Sequence, residues 1–456
     1  MLTSKRLALL VAALGSFASS FMASSVNIAL PSIGMEFAID AVLLSWVTTS
    51  YVLALAMLLV PFGRLGDIYG RKKLFVYGTS LFALSSLLSA LSSSAAMLVS
   101  FRALQGVGGA MFIGAIVAIL TSVFPTEERG EAFGANVAAV YLGLSLGPFL
   151  GGVLTQNFGW RSVFLAGVPP GLAASLLSSL KLKGEWVGDK GKAFDFAGSA
   201  LYSLSLLALI YGFSSLPSAL AARLIFAGAL GILAFVWWES KVGSPVLDLS
   251  LFRGNRPFSF SNLAALIGYT STLAVAFLLS LYLQYVKGFT PQTAGLILIS
   301  QPVMMATFSP LAGKLSDRVE PRDVSSIGIG LTAASLLALT FLNEKTSLKL
   351  IIASLILLGL GFAFFSSPNT NAAMASVERK FYGVAAAALG TMRSAGQTLS
   401  MGVATLMLAT YLGRVQITPA HYSAFLEGVN AAFAVFAALC FAGALVSIAR
   451  GKTRAP

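Results

Sequence analysis

Apolar runs of roughly 20 residues follow one another from end to end of this 456-residue chain. Each is long enough to cross the hydrocarbon core of a bilayer as a helix. Only 10% of the residues are charged, against about a quarter in a soluble chain, so an ordinary water-facing surface cannot be covered. The mean hydropathy of +0.85 says the same. The expected fold class is an all-α polytopic membrane protein.

Helices are expected at roughly 7–33, 43–64, 74–94, 97–122, 131–157, 160–180, 195–214 and 219–239. A second set is expected at roughly 256–286, 291–315, 323–343, 347–372, 381–411 and 425–449. Fourteen is an even number, which puts both termini on one side. The first run, Leu7 to Ile33, is too long for a signal peptide and reads as a retained first helix. The longest polar segments, around Lys181 to Asp195 and Glu239 to Pro257, are short linkers, so no soluble domain is expected.

The net charge of +13 does not point to nucleic acid, because the bases alternate with the spans. Of 30 Lys and Arg, 22 fall in loops on one side, among them Lys5, Arg6, Arg64, Arg71 to Lys73, Lys181, Lys183, Lys190, Lys192, Arg450, Lys452 and Arg454. The other side holds Arg161, Arg223, Lys287, Lys345, Lys349 and Arg414. That asymmetry predicts a cytoplasmic membrane protein with both termini in the cytoplasm. The single cysteine, Cys440, lies in an apolar run and excludes an intrachain disulfide.

Between helices 2 and 3 stands GRLGDIYGRKK, Gly63 to Lys73, and a shorter GKLSDR returns at Gly313 to Arg318. Asp67 and Asp317 therefore hold matching places after helices 2 and 10. This repeat divides the chain into a six-helix bundle over 1–180, two inserted helices over 181–255, and a second six-helix bundle over 256–456. Gly63, Gly66 and Gly70 relieve the steric limits of a tight turn at the membrane surface. Asp67 needs compensation there, from a helix N-terminus, from Arg71, or from a neighbouring loop arginine such as Arg129.

GRLGDIYGRKK resembles the loop signature of the major facilitator superfamily, with Ile68 at a position often basic there. The resemblance implies two six-helix halves with a substrate site between them at the midplane. It also implies that Gly63, Asp67, Gly70 and Arg71, with Asp317 and Arg318 as the weaker repeat, latch the halves on the cytoplasmic side.

Helix 5 reads GLSLGPFLGG, where Gly143, Gly147 and Gly151 form one flat face. Close packing against a helix of the other half is expected, with a hinge at Pro148. Together with Gly152, the pattern resembles the antiporter signature associated with export. RALQGVGGA (Arg102 to Ala110), WRSVFLAGVPPG (Trp160 to Gly171), YLQYVKGFTPQTAG and GTMRSAGQTLSMGVA (Gly390 to Ala404) resemble the 14-helix drug:proton antiporter branch.

One position departs from that branch. Five residues before Asn27, where an aspartate usually stands, this chain has Met22. None of the 17 acids lies in the middle of an expected helix; Glu36, Asp40, Glu131, Asp195, Glu239 and Glu427 sit near helix ends, and His421 in a loop. A proton-coupled exporter ordinarily uses a buried carboxylate, so the coupling group is not visible. Two bases are at depth instead, Arg102 and Arg393, which favours a neutral or anionic substrate. Expected cavity or coupling residues in the first half are Met22, Ser24, Ser25, Asn27, Arg102 and Gln105. In the second half they are Asn262, Tyr269, Gln284, Asn369, Asn371, Arg393 and Gln397.

The reading is a secondary transporter exporting drug-like or amphipathic small molecules by alternating access, coupled to protons. The alternative is a uniporter or symporter of a small neutral or anionic solute. A membrane enzyme or receptor has no His, Cys or buried-acid constellation to use, and no GxxxxGK[ST] loop is present. The expected partners are a small-molecule substrate, protons and the lipid bilayer. Neither nucleic acid, metal nor cofactor is expected, and the chain is expected to act as a monomer.

Overall fold

The computed structural model describes residues 4–125, 128–188, 191, 193–247, 249–378 and 381–451. Lys190, Lys192, Lys452 and Arg454 of the basic loops lie outside the described residues. Among the described residues the regular structure is helical throughout. The first eight helices are α1 (Ser4–Phe37), α2 (Ala41–Tyr69), α3 (Arg71–Ala90), α4 (Ala95–Val123), α5 (Arg129–Phe158), α6 (Arg161–Lys181), α7 (Phe196–Ser214) and α8 (Ala219–Glu239). The remaining six are α9 (Arg256–Val286), α10 (Pro291–Ser316), α11 (Pro321–Leu339), α12 (Leu348–Ala375), α13 (Tyr382–Tyr411) and α14 (Tyr422–Ala449). Thirteen of the fourteen are long and apolar enough among the described residues to cross a membrane, and α13 is a further 30-residue helix. The molecule is a multi-pass membrane protein.

Polar side chains set many of the helix starts. Asp40, Ser94, Asp195, Ser218, Asn255, Thr290 and Ser347 each accept from a backbone N–H in the first turn that follows. Short connections then force neighbouring helices to run antiparallel. Ser4 and Gly451, the first and last described residues, and the bases Arg71, Arg129, Lys181 and Arg450 lie at one end of the bundle, called here the basic end.

The packing repeats with an offset of eight helices. In the first half α1 packs on α5 and α6, α2 on α4, and α3 on α4 and α6. In the second, α9 packs on α13 and α14, α10 on α12, and α11 on α12 and α14. Helix α7 lies across both halves, touching α2 and α13, while α8 packs on α7 and leaves most of its surface to lipid. Tyr202 and Ser203 donate from α7 to the carbonyls of Ala56 and Met57 on α2.

Two helices differ from their expected uniform course. Helix α9 breaks at Ser271–Thr272 and ends in a π-helical segment, Tyr282–Val286. The hydroxyl of Ser400 caps the restart by accepting from Ala274 N at 3.0 Å. Helix α10 breaks at Ile299, where Pro302 has no N–H to return to the preceding turn. Such interruptions are tolerated in a membrane where they are buried in protein.

Candidate functional site

At the basic end the GRLGDIYGRKK segment is less of a loop than expected. Helix α2 continues to Tyr69, so Asp67 lies in its last turn, and Gly70 alone makes the corner. Gly70 has φ +123°, and a Cβ there would lie 2.6 Å from Glu185 Oε1. Glu185 accepts from the N–H groups of Lys72 and Lys73 at 2.8 and 3.3 Å, giving α3 the N-terminal cap that Gly70 lacks. The segment after α6 is pinned over the corner by two backbone bonds, Arg71 N to Trp186 O and Gly188 N to Asp67 O.

Asp67 is compensated by Arg71. Nε and Nη2 of Arg71 donate to Asp67 Oδ1 at 2.9 and 2.7 Å, and its Nη1 reaches Ser122 Oγ on α4 at 2.9 Å. Arg129 instead donates to the carbonyls of Thr121 and Phe124. The ion pair is thus made within the first half. Asp317 follows α10 directly as its C-cap, with its N–H on Gly313 O, and Arg318 donates its N–H to Leu315 O.

Between the halves at this end lies a cavity of about 570 Å³. Its walls are Leu59, Gly63, Asp67 and Arg71 of the α2–α3 corner, Ile113 to Thr121 on α4, Val384 to Thr391 on α13, and the strap Gly243 to Leu247 that follows α8. Mostly apolar walls with few polar groups are what an amphipathic organic ligand requires.

The opposite end is shut. Pro31 in α1 has no N–H to offer the carbonyl of Asn27, and Ser280 Oγ of α9 donates to that oxygen at 2.6 Å. Gln284 Nε2 donates to Ile28 O at 3.0 Å, and Tyr285 Oη to Pro31 O at 3.2 Å. The π-helical turn at the end of α9 brings these side chains to the kinked stretch of α1. Ala41 N and Gln416 Nε2 add bonds to Val415 O and Ala38 O across the same end.

Helix α5 corrects one expectation. The Gly143, Gly147 and Gly151 face does not meet the other half; it packs on α1 of its own half. A Cβ on Gly143 would lie 2.7 Å from Phe17 O, one on Gly147 1.9 Å from Ser24 Oγ, and one on Gly151 2.8 Å from Ser25 Cβ. The crossing to the other half uses the adjacent stripe. A Cβ on Gly152 would lie 2.5 Å from Pro291 O, and one on Gly295 of α10 would lie 2.1 Å from Pro148 O. Pro148 and Gly152 make the inter-half contact.

None of the expected cavity residues lines that cavity: Gln284 is in the seal, and the others lie within the two halves. Met22 is fully buried between α1 and α6, where its sulfur would be 2.7 Å from a Cβ on Gly167. Arg102 and Gln105 are also fully buried inside the first half. Arg102 donates Nε to Val47 O at 3.0 Å and Nη1 to Gln105 Oε1, and Gln105 donates to Ser86 Oγ. The guanidinium lies over the Tyr51 ring, 4.4 Å from its centre. These three residues belong to the interior of one half rather than to the space between halves. Ser24 and Ser25 face α5, and Asn27 accepts from Thr48 at 3.1 Å.

In the second half the polar groups run from mid-helix toward the basic end. Arg393 Nη2 donates to Thr370 Oγ1, its guanidinium lies 5.5 Å from the Tyr269 ring centre, and Tyr269 shares a hydrogen bond with Ser366 at 3.0 Å. Gln397 stands one turn further along α13, half-buried. Asn369 donates to Ser261 O at 2.9 Å and Asn371 to Ser316 Oγ at 2.7 Å, whereas Asn262 bonds its own helix at Phe258 O.

Sequence reasoning missed Tyr141 and Ser309. Their hydroxyls meet at 3.1 Å, joining α5 to α10 across the halves. A tyrosine two residues before the Gly143 stripe was the available signal. Ser280 and Tyr285, which form the seal, were likewise missed.

Comparison with known proteins agrees with this architecture. The sequence model of the Major Facilitator Superfamily matches residues 12–252 and 260–456. The chain is 31% identical over 449 residues to the riboflavin transporter RibZ of Clostridioides difficile, covering 97% of each chain. It is 32% identical over 412 residues to the multidrug resistance protein Stp of Mycobacterium tuberculosis, covering 89% of this chain and 76% of that one. Among solved structures, a bacterial homologue of the human lysosomal transporter Spinster superposes with a TM-score of 0.70 at 15% identity, covering 99% of this chain and 97% of that one, which speaks for the fold alone. The chain belongs to the major facilitator superfamily, a family of membrane transporters.

Proposed function

We propose that this transporter exports amphipathic, drug-like molecules from the cytoplasm by alternating access, with proton coupling, acting as a monomer in the cytoplasmic membrane with its basic end inside. The observation that carries the reading is the cavity of about 570 Å³ between the halves at the basic end, set against the hydrogen-bonded seal at the other. A substrate entering from the base-rich side meets a mostly apolar passage whose α13 wall, Val384 to Thr391, leads toward Arg393 on the same helix. Arg393 over an aromatic ring suits neutral or anionic ring systems better than lipophilic cations. Relatives named for riboflavin transport and multidrug resistance support a drug-like organic substrate.

The test is transport into everted membrane vesicles of riboflavin, an anionic aromatic dye and a lipophilic cation, with and without an imposed pH gradient. Accumulation of the first two, abolished by a protonophore, is expected. Absence of accumulation of all three overturns the export reading. Flux indifferent to the protonophore favours the uniporter alternative, to which the lack of a mid-membrane carboxylate among the described residues already lends weight.

A further inference from the structure

The inserted pair α7–α8 holds two acids where its helices meet at the basic end. Asp195 caps α7, with Oδ1 accepting from Gly198 N at 2.9 Å and Oδ2 from the indole of Trp238 at 2.9 Å. Glu239, the last residue of α8, is 4% exposed, and its Oε2 accepts from Leu247 N at 2.9 Å. The other oxygen, Oε1, is buried with no hydrogen-bond partner. A Cβ placed on Gly198 would lie 2.4 Å from Asp195 Oδ2 and 2.5 Å from Glu239 Oε1, so the two carboxyl groups face each other across the glycine.

No base balances them among the described residues. Lys241, two residues beyond Glu239, is turned onto the Trp237 ring at 4.1 Å. Arg64 of α2 lines the same cavity as the strap. From α7 the facing charge is Asp195 itself; Lys192 and Asp248 lie outside the described residues. Two buried like charges with one partnerless oxygen are an expensive arrangement, and one proton removes both defects.

We infer that Asp195 and Glu239 form a proton-binding site, in which Glu239 Oε1 carries the proton on the side facing Asp195 Oδ2, and that its occupancy holds the cavity wall in place. The wall is the strap Gly243 to Leu247, all five residues of which line the cavity, and Glu239 Oε2 is bonded to its last N–H. When the proton leaves to cavity water, both carboxylates are charged and repel across Gly198. Glu239 then turns outward to water, and its bond to Leu247 is lost. This goes beyond the transport reading, because the acids sit in the inserted helices rather than on the substrate path, and it stands whether or not substrate flux is proton-driven.

The experiment uses the full chain in lipid nanodiscs and needs no substrate. Infrared difference spectra across pH are expected to show a protonated-carboxyl band that disappears on raising the pH and is missing in Glu239→Gln. Maleimide labelling of Ser244→Cys, on a Cys440→Ala background, is expected to accelerate several-fold more with pH than a free model thiol does. Glu239→Gln, which is neutral at every pH, is expected to return labelling to the model-thiol profile. A band unchanged by Glu239→Gln overturns the site, as does a Ser244→Cys profile that follows the model thiol in the unmutated background. Should Glu239→Gln fail to insert, that last profile decides alone.

Discussion

Ser280 Oγ of α9 lies 2.6 Å from the carbonyl oxygen of Asn27, the one that Pro31 leaves without its helical donor. A kink in one half has become a docking point for the other. Removing one such bond costs about 1 kcal/mol, which shifts a two-state equilibrium about fivefold. Ser280→Ala is therefore expected to raise the population opened at the sealed end. Distances between spin labels on Asn157 and Glu344 measure it; an unchanged distribution sinks the seal.

Gly152→Leu and Gly147→Leu are expected to fail differently. At Gly152 the new side chain meets Pro291 of the other half, so the protein should insert, keep its thermal stability and lose transport. At Gly147 it meets α1 of the same half, where overpacking costs about 1–3 kcal/mol, so melting temperature and yield should fall first. Thermal shift and transport measured on both variants separate the cases. Equal stability loss at the two positions would refute the assignment of stripes.

Asp67→Asn removes the negative charge from the oxygen that accepts from two guanidinium nitrogens of Arg71, which also holds Ser122 on α4. An i,i+4 pair of this exposure contributes only about 0.3–0.5 kcal/mol to stability, so insertion and melting should be unchanged. Transport is expected to be lost if the pair serves the switch between states, with a smaller loss for Asp317→Asn. Full transport by well-inserted Asp67→Asn is the contrary result.

Met22→Asp is expected to give no gain in efflux of lipophilic cations. The new carboxyl would sit against Gly167 and near Ser86, within the first half and beside the Arg102–Gln105 network. Its burial costs about 2.5–3.5 kcal/mol on insertion scales, visible as reduced yield. A rise in cation efflux with a new pH dependence would show that this face of α1 reaches the substrate.

Arg393→Gln keeps a donor toward Thr370 but removes the charge over Tyr269. A charge-assisted contact is worth about 1.5–3 kcal/mol, so KM for an anionic aromatic probe should rise about tenfold or more. KM for a neutral probe should move much less. Equal changes for both probes would make Arg393 a packing element.

Hydropathy was enough to place all fourteen helices within a few residues, because a span needs length and apolarity and nothing more. The Asp67–Arg71 pair was legible as one of the compensators open to Asp67, and the corner at Gly70 is what selects Arg71 over Arg129. What escaped was rotation about each helix axis. In α5 the faces toward lipid, toward α1 and toward α10 are largely apolar or small, and isolated polar residues such as Asn136 toward α1 and Tyr141 toward α10 form no stripe that tells them apart. The stripe Gly143/Gly147/Gly151 was therefore assigned to the wrong neighbour, and Met22 to the wrong side of α1. Breaks in α9 and α10 escaped because Ser271, Thr272 and Ile299 are unremarkable in a helix until Ser400 and Pro302 are placed beside them.

The hold of α7 on the two halves is unequal, and this has a mechanical outcome. To α2 it is fixed by the hydrogen bonds of Tyr202 and Ser203, whereas α13 meets it through Ile210 and Phe213 lying on Gly402. Oriented bonds resist sliding; rings and methyl groups on a glycine do not. In any rocking of one bundle against the other, α7 and α8 travel as freight of the first. The shear plane of such a motion runs along Gly402, where any larger side chain would press into Ile210 and Phe213.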